Sequence, residues 1–123
     1  MTNTVITWKD GQPTVHPAGD VVAALVPELR SALRGALAEG VREMTIDFAK
    51  VHMVDSTGLG LLISAHNSIS KTGGKLAVIH VRKEILDLFR SMRVHQHFSV
   101  SQGDVEESGS GAQEDAAREA SVQ

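Results

Sequence analysis

One six-residue stretch concentrates chemistry: Asp55-Ser56-Thr57-Gly58-Leu59-Gly60. Asp, Ser and Thr carry side-chain oxygens that accept from the orphan backbone N–H groups at a helix start. Gly58 and Gly60 leave room for close approach by a partner or a phosphoryl group. A helix beginning here would add free N–H groups and the positive end of its dipole. A serine so placed is open to an outside kinase, and a phosphate on it would meet a favourable field. Local physics alone asks for no more than a well-capped helix start. The hydrolase reading finds no support, since the run is not Gly-x-Ser-x-Gly and no acid–histidine pair is visible to activate Ser56. Nor is Thr72-Gly73-Gly74-Lys75 a phosphate-cradling loop, because the leading glycine and the Ser/Thr after the lysine are missing.

The six histidines raise a metal or acid–base reading. His95 and His97 can share one side of an extended segment, but no third ligand has a suitable spacing, so they read as surface residues. His66 falls on the inner stripe of a helix and reads as a partly buried histidine bonded to backbone. His52, just before the motif, can tune it electrostatically if it titrates near neutral pH. The chain has no cysteine, which removes disulfides, thiolate zinc sites and a cysteine nucleophile. No catalytic residue, metal ligand or cofactor-binding residue is therefore assigned. Lys71, Lys75, Arg82, Lys83, Arg90 and Arg93 make the second half mildly basic, as a solvated face does. Met53 and Met92 read as core gap-fillers.

The elements that must position the motif alternate in character. Val5-Ile6-Thr7-Trp8 reads as a strand, Lys9-Asp10-Gly11-Gln12 as a hairpin turn, and residues 14–18 as the returning strand. Pro17 inside that strand lacks a backbone donor and argues for an edge position or a bulge. Leu25, Leu29, Ala32, Leu33, Ala36 and Leu37 fall at helical spacing, with Pro27 in the first turn and Gly40 at the end. Met44-Thr45-Ile46-Asp47-Phe48 is a strand, and a short apolar stretch over 51–54 leads into the motif. A second helix presents Leu59, Leu62, Ile63, His66 and Ile69, and Gly73-Gly74 stops it. Leu76-Ala77-Val78-Ile79, apolar on both sides, reads as a central buried strand. A third helix presents Ile85, Leu86, Leu88, Phe89 and Met92, and Phe98-Ser99-Val100 is a last short strand. Right-handed crossovers make the later strands parallel. The expected fold is α/β, one domain with a mixed four- to five-stranded sheet and the helices mainly on one face.

With 123 residues the chain has room for one such domain, assigned to residues 3–102. Residues 103–123 are rich in Gly, Ser, Glu and Ala, cannot bury enough surface to offset ordering, and are expected to form a disordered acidic tail. A terminal helix over 113–120 would be marginal alone. A net charge of −3 and a pI near 6.0 give no pull toward nucleic acid. No secretory signal and no run of about 18 apolar residues is visible, so a cytoplasmic protein not inserted in a membrane is expected.

Taken together, Met53-Val54-Asp55-Ser56-Thr57-Gly58-Leu59-Gly60-Leu61-Leu62, the preceding Ile46-Asp47-Phe48, and the later Lys71-Thr72-Gly73-Gly74-Lys75-Leu76-Ala77-Val78 with Ile85, Leu88, Phe89 and Phe98 resemble the bacterial anti-sigma factor antagonists of the STAS-domain family. The resemblance covers about the length of one domain. It implies that Ser56 is phosphorylated by a partner anti-sigma factor of the GHKL kinase type. The unphosphorylated form would bind that partner and free the sigma factor, and a metal-dependent phosphatase would restore Ser56. By position, Asp55, Ser56, Thr57, Gly58, Leu59 and Gly60 would make the partner-binding loop. Where the family often has Gly-Glu-Leu-Asp, this chain has Gly19-Asp20-Val21-Val22: the final carboxylate is missing, and Asp20, displaced by two positions, is assigned to the same interface. The alternatives are a STAS-type interaction module in another complex, such as a lipid-transport subunit, without obligatory phosphorylation, and an enzyme or nucleotide binder on the same fold. The last finds no paired carboxylates and no nucleophile–base pair in the sequence.

Overall fold

The computed structural model describes residues 4–94 and 98–102. Its elements run β1 (Val5–Lys9), β2 (Gln12–His16), α1 (Val26–Leu37), β3 (Glu43–Asp47), α2 (Ser56–Ser70), β4 (Lys75–Val81), α3 (Lys83–Ser91) and β5 (Ser99–Gln102). The five strands form one sheet in sequence order, β1-β2-β3-β4-β5. Only β1 is antiparallel to its neighbour; β2, β3, β4 and β5 are parallel. Consecutive parallel strands joined by crossovers of one hand, always stepping in one direction, put every helix on one face.

The hairpin follows from two residues. Asp10 (φ 54°) and Gly11 (φ 77°) both adopt left-handed backbone between the paired Lys9 and Gln12. Two positive φ values in a two-residue loop suit the right-handed twist of the flanking strands, and Asp-Gly tolerates them. The return strand keeps the expected length of five residues but starts two residues earlier than the residues 14–18 read from the sequence. It ends at His16, so Pro17 lies just outside the ladder, and β2 is an interior strand rather than an edge.

Each strand buries alternate residues. Val15, Met44, Ile46, Leu76 and Val78 are all within 2 % of full burial under the helices. Leu29, Leu33 and Ala36 of α1, Leu59, Leu62, Ala65 and Ile69 of α2, and Ile85 and Phe89 of α3 complete this core. Phe89 meets Phe48 in a tilted pair at 6.2 Å and Phe98 edge-on at 6.0 Å between centroids, tying the end of β3 to α3 and the start of β5. β4 is an interior strand between β3 and β5, but Ala77 and Ile79 are only half-buried, not covered on both faces. The face opposite the helices carries no second layer among the described residues, so apolar side chains there do not disappear from water.

Two methionines differ from the sequence reading. Met53 is 57 % exposed and Met92 51 % exposed. Met53 sits in an extended segment in which Val51 and Val54 take the inward positions, and α3 ends at Ser91 before a further turn could bring Met92 under the sheet. His95, His97 and the segment 103–123 lie outside the described residues.

Candidate functional site

Ser56 opens α2, and Asp55 is its N-cap. The local sequence dictates this: the Asp55 backbone is extended (φ −98°, ψ −178°), and its Oδ1 accepts from the Gly58 N–H at 2.8 Å. An aspartate in this position satisfies an orphan donor and places negative charge at the positive end of the helix. Its other oxygen, Oδ2, accepts from the Ala23 N–H at 3.0 Å. These hydrogen bonds, from Gly58 first and Ala23 second, outweigh the small effect of burial and hold the Asp55 carboxyl below its usual range.

A second carboxylate returns the grip. Asp20 Oδ1 accepts from the His52 N–H at 2.8 Å and the Met53 N–H at 3.2 Å. Between the two aspartates, Val21 N donates to Met53 O at 3.0 Å and Asp55 N donates to Val21 O at 3.2 Å, so Val21 and Val54 form a short parallel bridge. The segment after β2 and the segment before α2 are thus clamped from both sides. Asp20 turns out to brace this chain's own loop.

Gly58 is required by that clamp. A Cβ on it would run into the Val21 carbonyl oxygen, with Val21 Cγ1 only 2.7 Å away. The room it leaves is occupied by this chain's own backbone. Gly60 differs: it is exposed, and nothing lies within 4 Å of where its Cβ would be. Leu59 is in the core at 4 % exposure. Of the motif, Ser56, Thr57 and Gly60 therefore present exposed atoms to solvent, Asp55 is half-buried, and Gly58 and Leu59 are internal.

His52 is exposed beside the loop, with its Nε2 3.3 Å from Arg82 Nη2 at the N-cap of α3. A guanidinium only donates, so Nε2 accepts there. Thirty residues of separation hid this pairing from sequence reasoning. His66 is half-buried on α2, 6.2 Å from the Phe98 ring, with Nδ1 3.4 Å from Ser70 Oγ. Arg42 lies beside Gly73-Gly74: Gly73 has φ 79°, and a Cβ on Gly74 would sit 2.6 Å from the Arg42 carbonyl oxygen. Among the described residues no group of three His, Cys, Asp or Glu is placed to hold a metal ion, and no helix is long and apolar enough to cross a membrane.

The STAS-domain family matches residues 4–107. The anti-sigma-B factor antagonist of Staphylococcus aureus is 27 % identical over 101 residues, covering 82 % of this chain and 94 % of its own. Among solved structures, an anti-sigma factor antagonist of Thermotoga maritima superposes with a TM-score of 0.76 at 15 % identity, over 81 % of this chain and 86 % of the other. SpoIIAA, the Bacillus cell fate determinant, in its phosphorylated form gives 0.64 at 15 % identity, over 85 % and 95 %. These likenesses agree with the five-stranded sheet and three helices described above.

Proposed function

The chain belongs to the STAS-domain family, and from that premise we propose that it is an anti-sigma factor antagonist whose partner binding is switched off by phosphorylation of Ser56. The observation that carries this reading is the placement of Ser56: an exposed hydroxyl at the first position of α2, directly after an aspartate locked at both oxygens. A kinase can reach the hydroxyl without unfolding anything. The relative named above that bears the antagonist name supports the partner class, and the phosphorylated state of SpoIIAA supports the modification.

The physics of the switch follows from the clamp. Unphosphorylated, the loop offers a small, mostly neutral surface at Ser56, Thr57 and Gly60 beside the exposed Met53. Phosphorylation adds a charge of about −1.5 to −2 next to Asp55, which already holds the Gly58 and Ala23 N–H groups. The phosphate therefore projects outward into any docked partner. A like charge or an unpaired desolvated anion in an interface costs several kcal/mol, which weakens binding by about a hundredfold or more. The kinase would be the partner itself, an anti-sigma factor of the GHKL type acting in the cytoplasm, and a metal-dependent phosphatase would reset the site. Asp20 acts through the loop it braces.

The test is incubation with the anti-sigma kinase and ATP followed by peptide mass mapping. Ser56 alone should gain the phosphoryl group. Ser56→Ala should bind the kinase constitutively and Ser56→Asp more weakly, because one charge mimics the modification only in part. Equal binding by both variants, or a label elsewhere, would overturn the switch. Capture of a transport ATPase in place of a small kinase would move the chain to a different STAS assembly.

A further inference from the structure

The open face of the sheet carries a second constellation that the Ser56 loop does not use. Strand register assembles it from residues far apart in sequence. Thr7 sits on β1, His16 on β2, Asp47 on β3 and His80 near the end of β4, with Val5 paired to His16 and Val15 paired to Ile46. Thr7 Oγ1 lies 3.0 Å from His16 Nε2, and His16 Nδ1 lies 3.1 Å from Asp47 Oδ2. The other carboxylate oxygen, Asp47 Oδ1, takes His80 Nδ1 at 2.8 Å and the Ala49 N–H at 2.9 Å. His80 reaches it from a left-handed backbone (φ 58°) at an irregularity in the β4–β5 ladder. That conformation is uncommon for any residue but glycine.

Burial would raise the Asp47 carboxyl, but the hydrogen bonds from His80 and Ala49 and the nearby imidazoles bring it below its usual value. An ionised carboxylate only accepts, so His16 carries its proton on Nδ1. With the proton on Nδ1, the Nε2 lone pair is placed to accept from the Thr7 hydroxyl at 3.0 Å. Hydroxyl, imidazole and carboxylate in this order and at these atoms form the arrangement that activates an oxygen nucleophile. A cavity of about 310 Å³ opens beside it, bounded by Val5, Thr7, His16, Pro17, Asp47 and Lys50. Thr7 is itself exposed on the edge strand.

We propose that Thr7 is a reactive nucleophile that accepts an acyl group from a short-chain carboxylic ester held in this cavity. Thr7 Oγ1 attacks the ester carbonyl while His16 Nε2 takes the hydroxyl proton. Asp47 stabilises the resulting imidazolium, and the Lys50 ammonium at the cavity wall is the cation suited to the oxyanion. The ester C–O bond then breaks, the alcohol leaves with the proton from His16, and Thr7 is left as an ester. Water added at that carbon returns the hydroxyl and releases the carboxylic acid, so atoms balance with no further reagent. His80 and the Ala49 N–H are positioning groups, since both act through Asp47. The site stands independently of Ser56 and its switch.

The full chain mixed with p-nitrophenyl acetate provides the test. Nitrophenolate release is followed by absorbance, and the acetylated product by peptide mass mapping. The expected result is one acetyl group on the peptide carrying Thr7, with release that falls about tenfold or more in Thr7→Val and in His16→Gln, since general-base assistance contributes about 10²–10⁴-fold. Thr7→Val is nearly isosteric and favours a strand, and its thermal melt verifies the fold. Continued release beyond one equivalent that still depends on Thr7 would show turnover of the same acyl group and support the proposal. Release unchanged in Thr7→Val, or acetyl groups only on lysines, would overturn it and leave the row as a cross-strand tie.

Discussion

Two glycines separated by one residue in the same helical turn, Gly58 and Gly60, should respond to alanine in opposite directions. Gly60 is exposed with open space around it, so Gly60→Ala gains only helix propensity and a stiffer unfolded chain, about 0.5–1 kcal/mol. Gly58→Ala gains the same term but must fit a methyl group against the Val21 carbonyl. The ideal Cβ lies 2.8 Å from Val21 C and 2.7 Å from Val21 Cγ1, roughly 0.7 Å or more inside ordinary carbon contact of about 3.5 Å. Val21 cannot swing away: its side chain is fully buried, its N–H donates to Met53 O at 3.0 Å, and its carbonyl accepts from Asp55 N at 3.2 Å. Overpacking of this kind costs about 1–3 kcal/mol, and a bond lost from the bridge adds about 0.5–1.5 kcal/mol. After the propensity gain, Gly58→Ala should be destabilised by about 1–3 kcal/mol. For a domain near 100 residues each kcal/mol moves Tm by about 4–8 °C, so the two variants should melt on opposite sides of the parent. Thermal and urea unfolding followed by circular dichroism measure both. Stabilisation of Gly58→Ala comparable to that of Gly60→Ala would refute the close approach of α2 to Val21 and with it the account of the clamp.

Removing the Asp20 carboxylate (Asp20→Ala) strips the partners from the His52 and Met53 N–H groups; about 1–2 kcal/mol of stability should be lost, and amide exchange at those two residues should accelerate while β4 stays protected. For Asp47, whose folded-state carboxyl titrates below the ordinary 3.8, the sign is that of a depressed acid: its stabilisation is complete above the unfolded value and fades as pH falls through the folded one. Asp47→Asn should therefore lower the urea midpoint at pH 7 and shrink the difference between pH 7 and pH 3; an undiminished difference would acquit Asp47. At His80, φ 58° favours Asn over β-branched residues, so His80→Val should be less stable than His80→Asn by about 1–2 kcal/mol, read as the gap between their urea midpoints.

Much of the fold was legible because periodicity carries it. The helical spacing of Leu29, Leu33 and Ala36 and the strand character around Ile46 and Val78 put the right residues in the core. The Asp-Gly turn and the left-handed Gly73 announced themselves by residue type. The motif was legible as a capped helix start, and its capping geometry matches. What escaped were contacts made through backbone or register. The bonds of Asp20 go to amides 32 and 33 residues away, and every residue but proline has an amide. Likewise, nothing in the spacing of Thr7, His16, Asp47 and His80 sets them side by side; a single-residue register slip would move the whole set to opposite faces. Pro17 misled in the same way, since only the true end of β2 shows that it needs no ladder partner. Met53 and Met92 were assigned by hydrophobicity, yet burial depended on where an extended segment alternates and where a short helix stops.

On the proposed reading of Ser56 as a phosphosite, the two aspartates explain how a phosphoryl group there would leave the domain undisturbed. Each carboxylate takes backbone donors from the opposite segment, Asp20 from 52 and 53, Asp55 from 23, so neither segment can shift without breaking bonds at both ends. Asp55 also takes the Gly58 donor that an incoming phosphate would otherwise recruit. A phosphoryl group on Ser56 thus finds the nearest helix-start donors already engaged and a carboxylate, held ionised by those bonds, as its neighbour. It gains little from bending back onto the fold. Its charge is left facing outward, where the cost falls on whatever docks against Ser56 and Thr57, and the domain beneath stays as it was. In the proposed switch, rigidity built by paired carboxylates would let one small charge act on a partner rather than on the protein that carries it.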